Sequence, residues 1–182
     1  EDREGNVWAV TMNGIDRFRE FAVPNISIRQ GLSNTNSVAI TSAKDGSVWV
    51  ATYNGLNRWK DGRISVLNRI RSAQDSSRTP QGAPYSLFED SAGRIWLSTV
   101  QEFGYLENNR FVPVPDVRGG RITSMAEGPS GNLWLAKEKD GLLHLFQGRV
   151  IEKFPWTALG HNDDGRVVLA DPSHHGIWLG FS

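Results

Sequence analysis

Four histidines are the first candidates for metal or acid–base chemistry in this 182-residue sequence. His144 lies between Leu143 and Leu145 in an apolar segment, where we expect a structural histidine within a strand. His174 and His175 are adjacent in a turn, so their side chains point in different directions, and no further ligand follows at a metal-binding spacing. We therefore predict no metal and no cofactor.

Carboxylates form the second group of candidates, because Asp2, Asp45 and Asp90 recur in turns. Aspartate bonds nearby backbone and tolerates turn geometry, which explains these positions without catalysis. Acid–base hydrolysis would require two carboxylates that converge on one cleft. The absence of cysteine also excludes a thiol nucleophile, thiolate metal sites and disulfides. These observations predict a protein that is not an enzyme.

Composition limits the classes of partner that the protein is expected to bind. The 20 basic and 20 acidic side chains give a formal net charge of zero, whereas a surface that binds nucleic acid normally has a basic excess. No apolar run approaches the roughly 18 residues that a membrane span needs. We expect no contact with nucleic acid, and contact with a membrane only through segments outside this sequence.

Tryptophan recurs at a nearly constant interval along the chain, and this repeat indicates the architecture. Five of the seven tryptophans form this repeat, and the spacings between them are 41, 47, 38 and 44 residues. A glycine stands three residues before each of the first four, and in the fifth unit His174 and His175 lengthen the turn by one residue. The repeated tryptophans are Trp8, Trp49, Trp96, Trp134 and Trp178.

Each repeat contains four short segments with the alternation of β-strands. In the second repeat the segments span residues 37–42, 47–52, 56–60 and 63–67, and turn signals such as Asp61-Gly62 separate them. Four-stranded units of this length are typical of a β-propeller, in which neighbouring sheets called blades stack face to face. We therefore predict an all-β propeller segment with the five tryptophans between blades. A sandwich or barrel of short strands is the competing fold.

Strand counting predicts three complete blades flanked by two partial ones. Both ends carry a tryptophan strand, so closure of the ring would leave one such strand in surplus. We expect the chain to be a piece of a longer propeller that associates with remaining blades or with itself, and a four-bladed ring is the alternative. The predicted boundaries are 1–30 for a partial blade, 31–70, 71–117 and 118–157 for blades, and 158–182 for a partial blade.

The repeat resembles that of the two-component regulator propeller family. Residues 31–56 read GLSNTNSVAITSAKDGSVWVATYNGL and follow the family pattern Asp-x-x-Gly-x-x-Trp-x-x-Thr-x-x-Gly-Leu, with Ala43 in place of the usual Asp. The fourth unit departs further, with Gly128 for the Asp and Lys137 for the Thr. Matches elsewhere are Asp2, Gly5, Trp8, Thr11, Gly14 and Ile15 in the first unit and Asp90, Gly93, Trp96 and Thr99 in the third.

This resemblance implies a function in signal transduction. Propellers of the family form the extracytoplasmic, periplasmic sensor region of membrane-bound histidine kinases and related proteins, and several respond to products of polysaccharide breakdown. By resemblance we expect a non-catalytic sensor domain that binds an oligosaccharide or another small ligand. A histidine kinase or another output domain would lie outside this chain.

We place the candidate ligand-binding residues in loops that gather on one face of a propeller. The connection of residues 68–83 is longer than a turn requires, and its arginines suit an anionic sugar or a carboxylate; a solvated loop explains it equally. Trp156 has no counterpart in other repeats and either stacks on a sugar ring or covers the end of a blade. The candidates are Tyr53, Asn54, Arg71, Arg78, Gln101, Lys137 and Trp156.

Two other classes of function remain open from the sequence. A propeller enzyme of the lyase, lactonase or glycosidase type would require acidic or histidine side chains clustered at the central channel. A structural scaffold would use contacts between propellers to dimerise.

Overall fold

Nearly all regular structure in the described part of this protein is β-strand. The computed structural model describes residues 26–67, 84–171, 173 and 176–182, together with the backbone of residues 6–11 and 14–19. Short 3₁₀ segments occur in the described part at Ile28–Gln30, Pro129–Gly131 and Trp156–Leu159.

The strands of the described residues form five antiparallel sheets, which we number as blades 1 to 5 along the chain. Blade 1 consists of β1 (Asn6–Thr11) and β2 (Gly14–Arg19). Blade 2 consists of β3 (Ser37–Ser42), β4 (Val48–Thr52), β5 (Gly55–Lys60) and β6 (Arg63–Leu67). Blade 3 consists of β7 (Ser86–Glu89), β8 (Ile95–Ser98), β9 (Glu102–Glu107) and β10 (Arg110–Arg118).

Blade 4 repeats this order, and blade 5 has two strands. Blade 4 consists of β11 (Ile122–Glu127), β12 (Leu133–Lys137), β13 (Gly141–Phe146) and β14 (Arg149–Phe154). Blade 5 consists of β15 (Gly165–Asp171) and β16 (Gly176–Phe181). In every four-stranded sheet each strand pairs with the next one in sequence. The prediction of an all-β propeller segment with three complete and two partial blades is confirmed.

Apolar side chains hold neighbouring blades together. Strand alternation sends Trp49 and Ala51 of β4 toward blade 3, where they form one cluster with Ile95 and Leu97. Trp96 lies between blades 3 and 4 in the same way, in a cluster that contains Leu133 and Leu135. Trp49 is 6% and Trp96 2% exposed, so these two indoles are interior groups.

The last two repeated tryptophans are less buried. Trp134 packs against the cluster between blades 4 and 5 and is half-buried. Trp178 does not fit the expectation of burial between blades, since it is 66% exposed and its cross-strand neighbour Leu169 is 58% exposed. The physical reason is that no further sheet of the described residues covers this side of β15 and β16. The side chain of Trp8 lies outside the described residues.

A buried carboxylate explains the first half of the repeat motif. In blade 3 the Asp90 side chain is 1% exposed and accepts hydrogen bonds from the backbone N–H of Arg94 (2.9 Å), from Arg94 Nε (2.6 Å) and from the indole Nε1 of Trp96 (2.8 Å). Gly93 completes the turn with a φ of +79°, which favours glycine. The motif aspartate therefore fixes both the turn and the tryptophan that follows it.

The same turns are tied to the next blade by glutamates at matching positions. Glu89 of blade 3 accepts the backbone N–H of Lys44 in blade 2, at 2.9 and 3.0 Å to its two oxygens. Glu127 of blade 4 accepts the backbone N–H and the hydroxyl of Ser91 in blade 3, at 2.6 and 2.7 Å. These hydrogen bonds fix the positions of blades 2, 3 and 4 relative to one another.

Candidate ligand-binding site

In blades 2, 3 and 4 the antiparallel order brings two loops to one edge, namely the loop that enters the inner strand and the loop that joins the second strand to the third. The first residue of an inner strand lies beside the last residue of the second strand, and we call this end of the blades the upper edge. The pairs that define it are Ser37 with Thr52, Ser86 with Ser98, Ile122 with Lys137 and Gly165 with Phe181.

Hydrogen bonds join the upper loops of blades 3, 4 and 5 into one surface. Gly119 donates to the carbonyl of Gln101 at 3.3 Å, and Glu138 donates to the carbonyl of Arg121 at 2.9 Å. Thr123 Oγ1 of blade 4 donates to the carbonyl of Gly165 of blade 5 at 2.9 Å. The loops therefore form a continuous polar rim.

Three of the predicted ligand-binding residues are exposed on this edge. Tyr53 is 62% exposed, and Asn54 beside it donates through Nδ2 to the carbonyl of Ser33 at 3.2 Å. Gln101 is exposed one blade further on, with its backbone N–H bonded to Thr99 Oγ1 at 3.2 Å. These side chains are available to a ligand but belong to different blades, so they line the rim and not a single pocket.

Lys137 and Trp156 meet at the upper edge of blade 4, and neither is freely accessible. The Lys137 side chain is 13% exposed, and its ammonium forms an ion pair with Asp140 and donates to the carbonyl of Arg118 at 3.1 Å. Trp156 is 4% exposed, and its indole N–H donates to the carbonyls of Lys137 (3.1 Å) and Glu138 (3.0 Å). A Cβ on Gly165 would lie 2.3 Å from the Trp156 ring, so the glycine is needed for this contact. Trp156 therefore covers the end of the blade and is not free to stack on a sugar, because its ring is buried in the protein.

The predicted arginines of the long connection, Arg71 and Arg78, lie outside the described residues. The role proposed for them stays a prediction.

Sequence reasoning missed a pair at the start of two inner strands. The guanidinium of Arg121 lies over the ring of Tyr85, 4.6 Å from its centroid, so a cation and an aromatic ring of neighbouring blades face each other on the upper edge. A signal for this pair exists in the sequence, since each residue stands just before the first strand of its unit. On blade 5, Arg166 extends the polar surface with ion pairs to Glu138 (3.5 Å) and Asp164 (4.0 Å).

The electrostatics of the buried carboxylate do not favour acid catalysis. Burial alone would raise the pKa of Asp90, but hydrogen bonds from Trp96 and Arg94 outweigh it and hold the pKa below its ordinary value. Hydrogen bonds from Ser47, Lys60 and Arg58 likewise lower the pKa of Asp45. Both carboxylates lie in lower turns, far along their strands from the upper edge, and a lowered pKa is opposite to what a general acid needs.

Histidines and carboxylates in the described residues do not converge. No group of three or more that could hold a metal ion occurs in that part of the chain. His144 stacks on Trp134 with ring centroids 3.9 Å apart, and its Nδ1 lies 2.8 Å from Glu152 Oε2, so it belongs to the packing between blades 4 and 5. The arrangement on the upper edge can donate and accept hydrogen bonds and offer an aromatic face, which is the chemistry of ligand binding.

Taken together, these features define a β-propeller with a polar upper rim. The family model of the two-component regulator propeller matches residues 31–54 and 80–101, in blades 2 and 3. These segments contain repeats of that family, and the resemblance stated from the sequence is confirmed there. None of the curated proteins matches the sequence.

Solved structures with a similar fold have low sequence identity to this chain. The extracellular domain of a putative hybrid two-component system from B. thetaiotaomicron is 21% identical, with a TM-score of 0.66 over 97% of this chain and 25% of its own. Virginiamycin B lyase from Staphylococcus aureus is 18% identical, with a TM-score of 0.61 over 96% of this chain and 56% of its own.

A third similar structure comes from a secretion system. PorZ, a surface component of the type-IX secretion system of Porphyromonas gingivalis, is 11% identical, with a TM-score of 0.70 over 100% of this chain and 30% of its own. The chain thus spans about a quarter to about half of the length of these structures. In the described part, no helix has the length and apolar character to cross a membrane.

Proposed function

We propose that this chain is a ligand-sensing segment of the β-propeller in a bacterial two-component sensor, and that it acts without catalysis. The observation that carries the proposal is the match of blades 2 and 3 to the two-component regulator propeller. An extracytoplasmic location and a kinase or other output domain outside this chain belong to the same proposal. They are supported by the family and by the similarity to the extracellular domain of a putative hybrid two-component system.

The polar rim of the upper edge is the part of the chain that would contact the ligand. Exposed Tyr53 and the stacked pair Arg121–Tyr85 offer aromatic faces and a guanidinium, and Gln101 and Asn54 offer amides. Sugars present both apolar C–H faces and hydroxyl groups, so this combination suits an oligosaccharide. Binding would be transmitted to the output domain as a difference in affinity between two arrangements of the propeller and its partner subunit.

Titration calorimetry of the chain with neutral and acidic oligosaccharides tests carbohydrate recognition. We expect one or more to bind, and the Arg121→Gln variant to bind about tenfold more weakly, as for loss of a charge-assisted hydrogen bond. Arg110→Gln is the matched control, because Arg110 is exposed at the opposite, lower end of blade 3. No heat with any sugar, or an equal loss in both variants, would refute recognition by this rim.

An enzyme is the second candidate, and the similarity to virginiamycin B lyase is the observation that favours it. Incubation of the protein with any oligosaccharide that binds, followed by mass spectrometry, separates the two candidates. An unchanged ligand supports a sensor, and a cleaved ligand supports an enzyme.

A structural scaffold that dimerises through propeller contacts is the third candidate. Light scattering with and without the bound sugar distinguishes it, because a scaffold associates to the same extent in both conditions.

A further inference from the structure

A cleft of about 620 Å³ lies between blades 3 and 4, beside the outer strands and toward the upper edge. Its size is in the range of small-molecule sites. The residues around it are unusual for this chain, because three departures from the repeat meet there: an insertion in β10, Lys137 in place of the motif threonine, and the Pro155–Trp156 segment.

The insertion in β10 forms one wall of the cleft. Pro113 of β10 pairs with Gly104 of β9, and Arg118 of β10 pairs with Glu102 of β9. Between these two pairs β10 advances by five residues and β9 by two, so β10 contains three extra residues. The bulge that results turns toward blade 4, where Val117 is 5% exposed. Asp116 Oδ2 accepts the backbone N–H of Val150 in β14 at 3.3 Å, which fastens this wall to the next blade.

Lys137 places a cation where the other complete blades have a neutral hydroxyl. Thr52 and Thr99 are buried and accept N–H groups of their own upper turns. Lys137 closes the turn of blade 4 by an ion pair with Asp140 instead, and its Nζ also donates to the carbonyl of Arg118 at 3.1 Å. The substitution therefore joins the rim of the cleft to the insertion in β10.

The floor of the cleft is apolar. Val117 and Leu143 belong to the buried cluster between blades 3 and 4, and the exposed Pro115 and Pro155 lie at the edge of the cleft. Leu142 and Phe154 also line the cleft but pack toward blade 5. A Cβ on Gly141 would lie 2.2 Å from the carbonyl oxygen of Phe154, so glycine is required for the close approach of β13 and β14 at this point.

Positive charge is in excess around the rim, where Arg118, Lys137 and Lys153 face Asp116 and Asp140. Both acids are engaged, with Val150 N–H and with Lys137. Arg118 donates through Nε to the carbonyl of Pro115 at 3.0 Å. Among the described residues, its two terminal amino groups and the ammonium of Lys153 have no ion-pair or hydrogen-bond partner, and both side chains belong to exposed residues.

We propose that this cleft binds a carboxylate carried on an apolar body about the size of one ring. Arg118 and Lys153 bind the carboxylate, and Pro115, Leu143 and Pro155 contact the apolar body. Guanidinium groups bind carboxylates with directional, charge-assisted hydrogen bonds, and the apolar floor supplies the surface that a ring would bury. The inference goes beyond the proposed function, because binding here requires neither a sensor nor the polar rim.

Nuclear magnetic resonance of the ¹⁵N-labelled chain tests the proposal with cyclohexanecarboxylate as the probe and cyclohexylmethanol as its neutral match. We expect the carboxylate to shift the amide signals of Gly120, Asp140 and Gly141, and the alcohol to shift them at concentrations about tenfold higher. The effect of the carboxylate should weaken at high salt, because the cations are exposed.

A double variant and a control test which groups bind the carboxylate. The double variant Arg118→Gln and Lys153→Gln should weaken binding of the carboxylate at least about tenfold and leave that of the alcohol unchanged. Lys139→Gln is the matched control, since Lys139 is exposed on the adjacent turn and does not line the cleft. Equal binding of acid and alcohol, shifts confined to another surface, or no shift with either probe would each overturn the proposal.

Discussion

Replacement of Asp90 should destabilise this propeller more than replacement of an exposed turn carboxylate. Asp90 is 1% exposed, and its two oxygens accept three hydrogen bonds from Arg94 and Trp96. We consider two variants, Asp90→Ala, which removes every acceptor, and Asp90→Asn, which keeps the shape and one acceptor oxygen.

The size of each effect follows from the donors that lose their partner. In the better orientation of the Asp90→Asn side chain, its amide oxygen still accepts from Trp96 Nε1 and Arg94 Nε, and the backbone N–H of Arg94 loses its acceptor, at a cost of about 1–2 kcal/mol. Asp90→Ala also leaves the buried indole N–H of Trp96 unpaired, so the loss rises to about 2–4 kcal/mol. The Arg94 side chain adds little, because it is 46% exposed and water can replace the lost bond.

The pH dependence of the effect has a definite sign. The pKa of Asp90 is lower in the folded chain than the ordinary value of 3.8, so the carboxylate stabilises the fold above that pH. This stabilisation is lost as the pH falls below 3.8 and through the lower pKa of the folded state. Asparagine does not titrate, so wild type and Asp90→Asn should differ most near neutral pH and converge in acid.

Urea unfolding followed by tryptophan fluorescence measures these free energies. The matched control is Asp61→Asn, because Asp61 is exposed and asparagine tolerates its φ of +48°. It should change the free energy of unfolding by no more than about 0.5 kcal/mol. A loss below about 1 kcal/mol for Asp90→Ala, or a difference between wild type and Asp90→Asn that grows in acid, would refute the reasoning.

Two further predictions concern the contacts between blades. Gly165→Ala should lower the free energy of unfolding by about 1–3 kcal/mol, because the new Cβ would lie 2.3 Å from the Trp156 ring. Gly176→Ala is the control and should be near neutral, because no atom lies within 4 Å of its Cβ position. Equal melting temperatures for the two variants would contradict the burial of Trp156. Trp96→Ala should cost about 3–5 kcal/mol and Trp178→Ala less than about 1 kcal/mol in urea unfolding, because the exposed fractions are 2% and 66%. Equal losses of unfolding free energy in Trp96→Ala and Trp178→Ala would show that the exposed fraction of the indole does not determine its contribution to stability.

The blades could be predicted from the sequence because their signals are local. Alternating residues in β4 and a glycine that adopts positive φ at Gly46 specify a strand and a turn within a few residues. The tryptophan interval then shows that the unit repeats. The contact from Asp90 to Trp96 is also local, since the two residues are six positions apart.

The candidate site was predicted less completely, because its residues come from different blades. Tyr53 and Gln101 could be placed on the upper edge from strand counting alone. The sequence places Tyr85 and Arg121 each just before an inner strand, but their stacking depends on the distance between two strands that are 36 residues apart in sequence, which a local pattern does not give. Trp156 was open to two interpretations until its burial against Gly165 was seen.

The sequence by itself determined that this protein is built from repeated antiparallel sheets with a tryptophan in each second strand, since alternation and turn residues act over short stretches of chain. The tertiary structure decided which of those tryptophans are covered, and that the insertion in β10 meets Lys137 and Lys153 around one cleft. The physical reason is that burial and charge clustering depend on how one sheet stacks on the next, and this contact joins residues that no short segment contains.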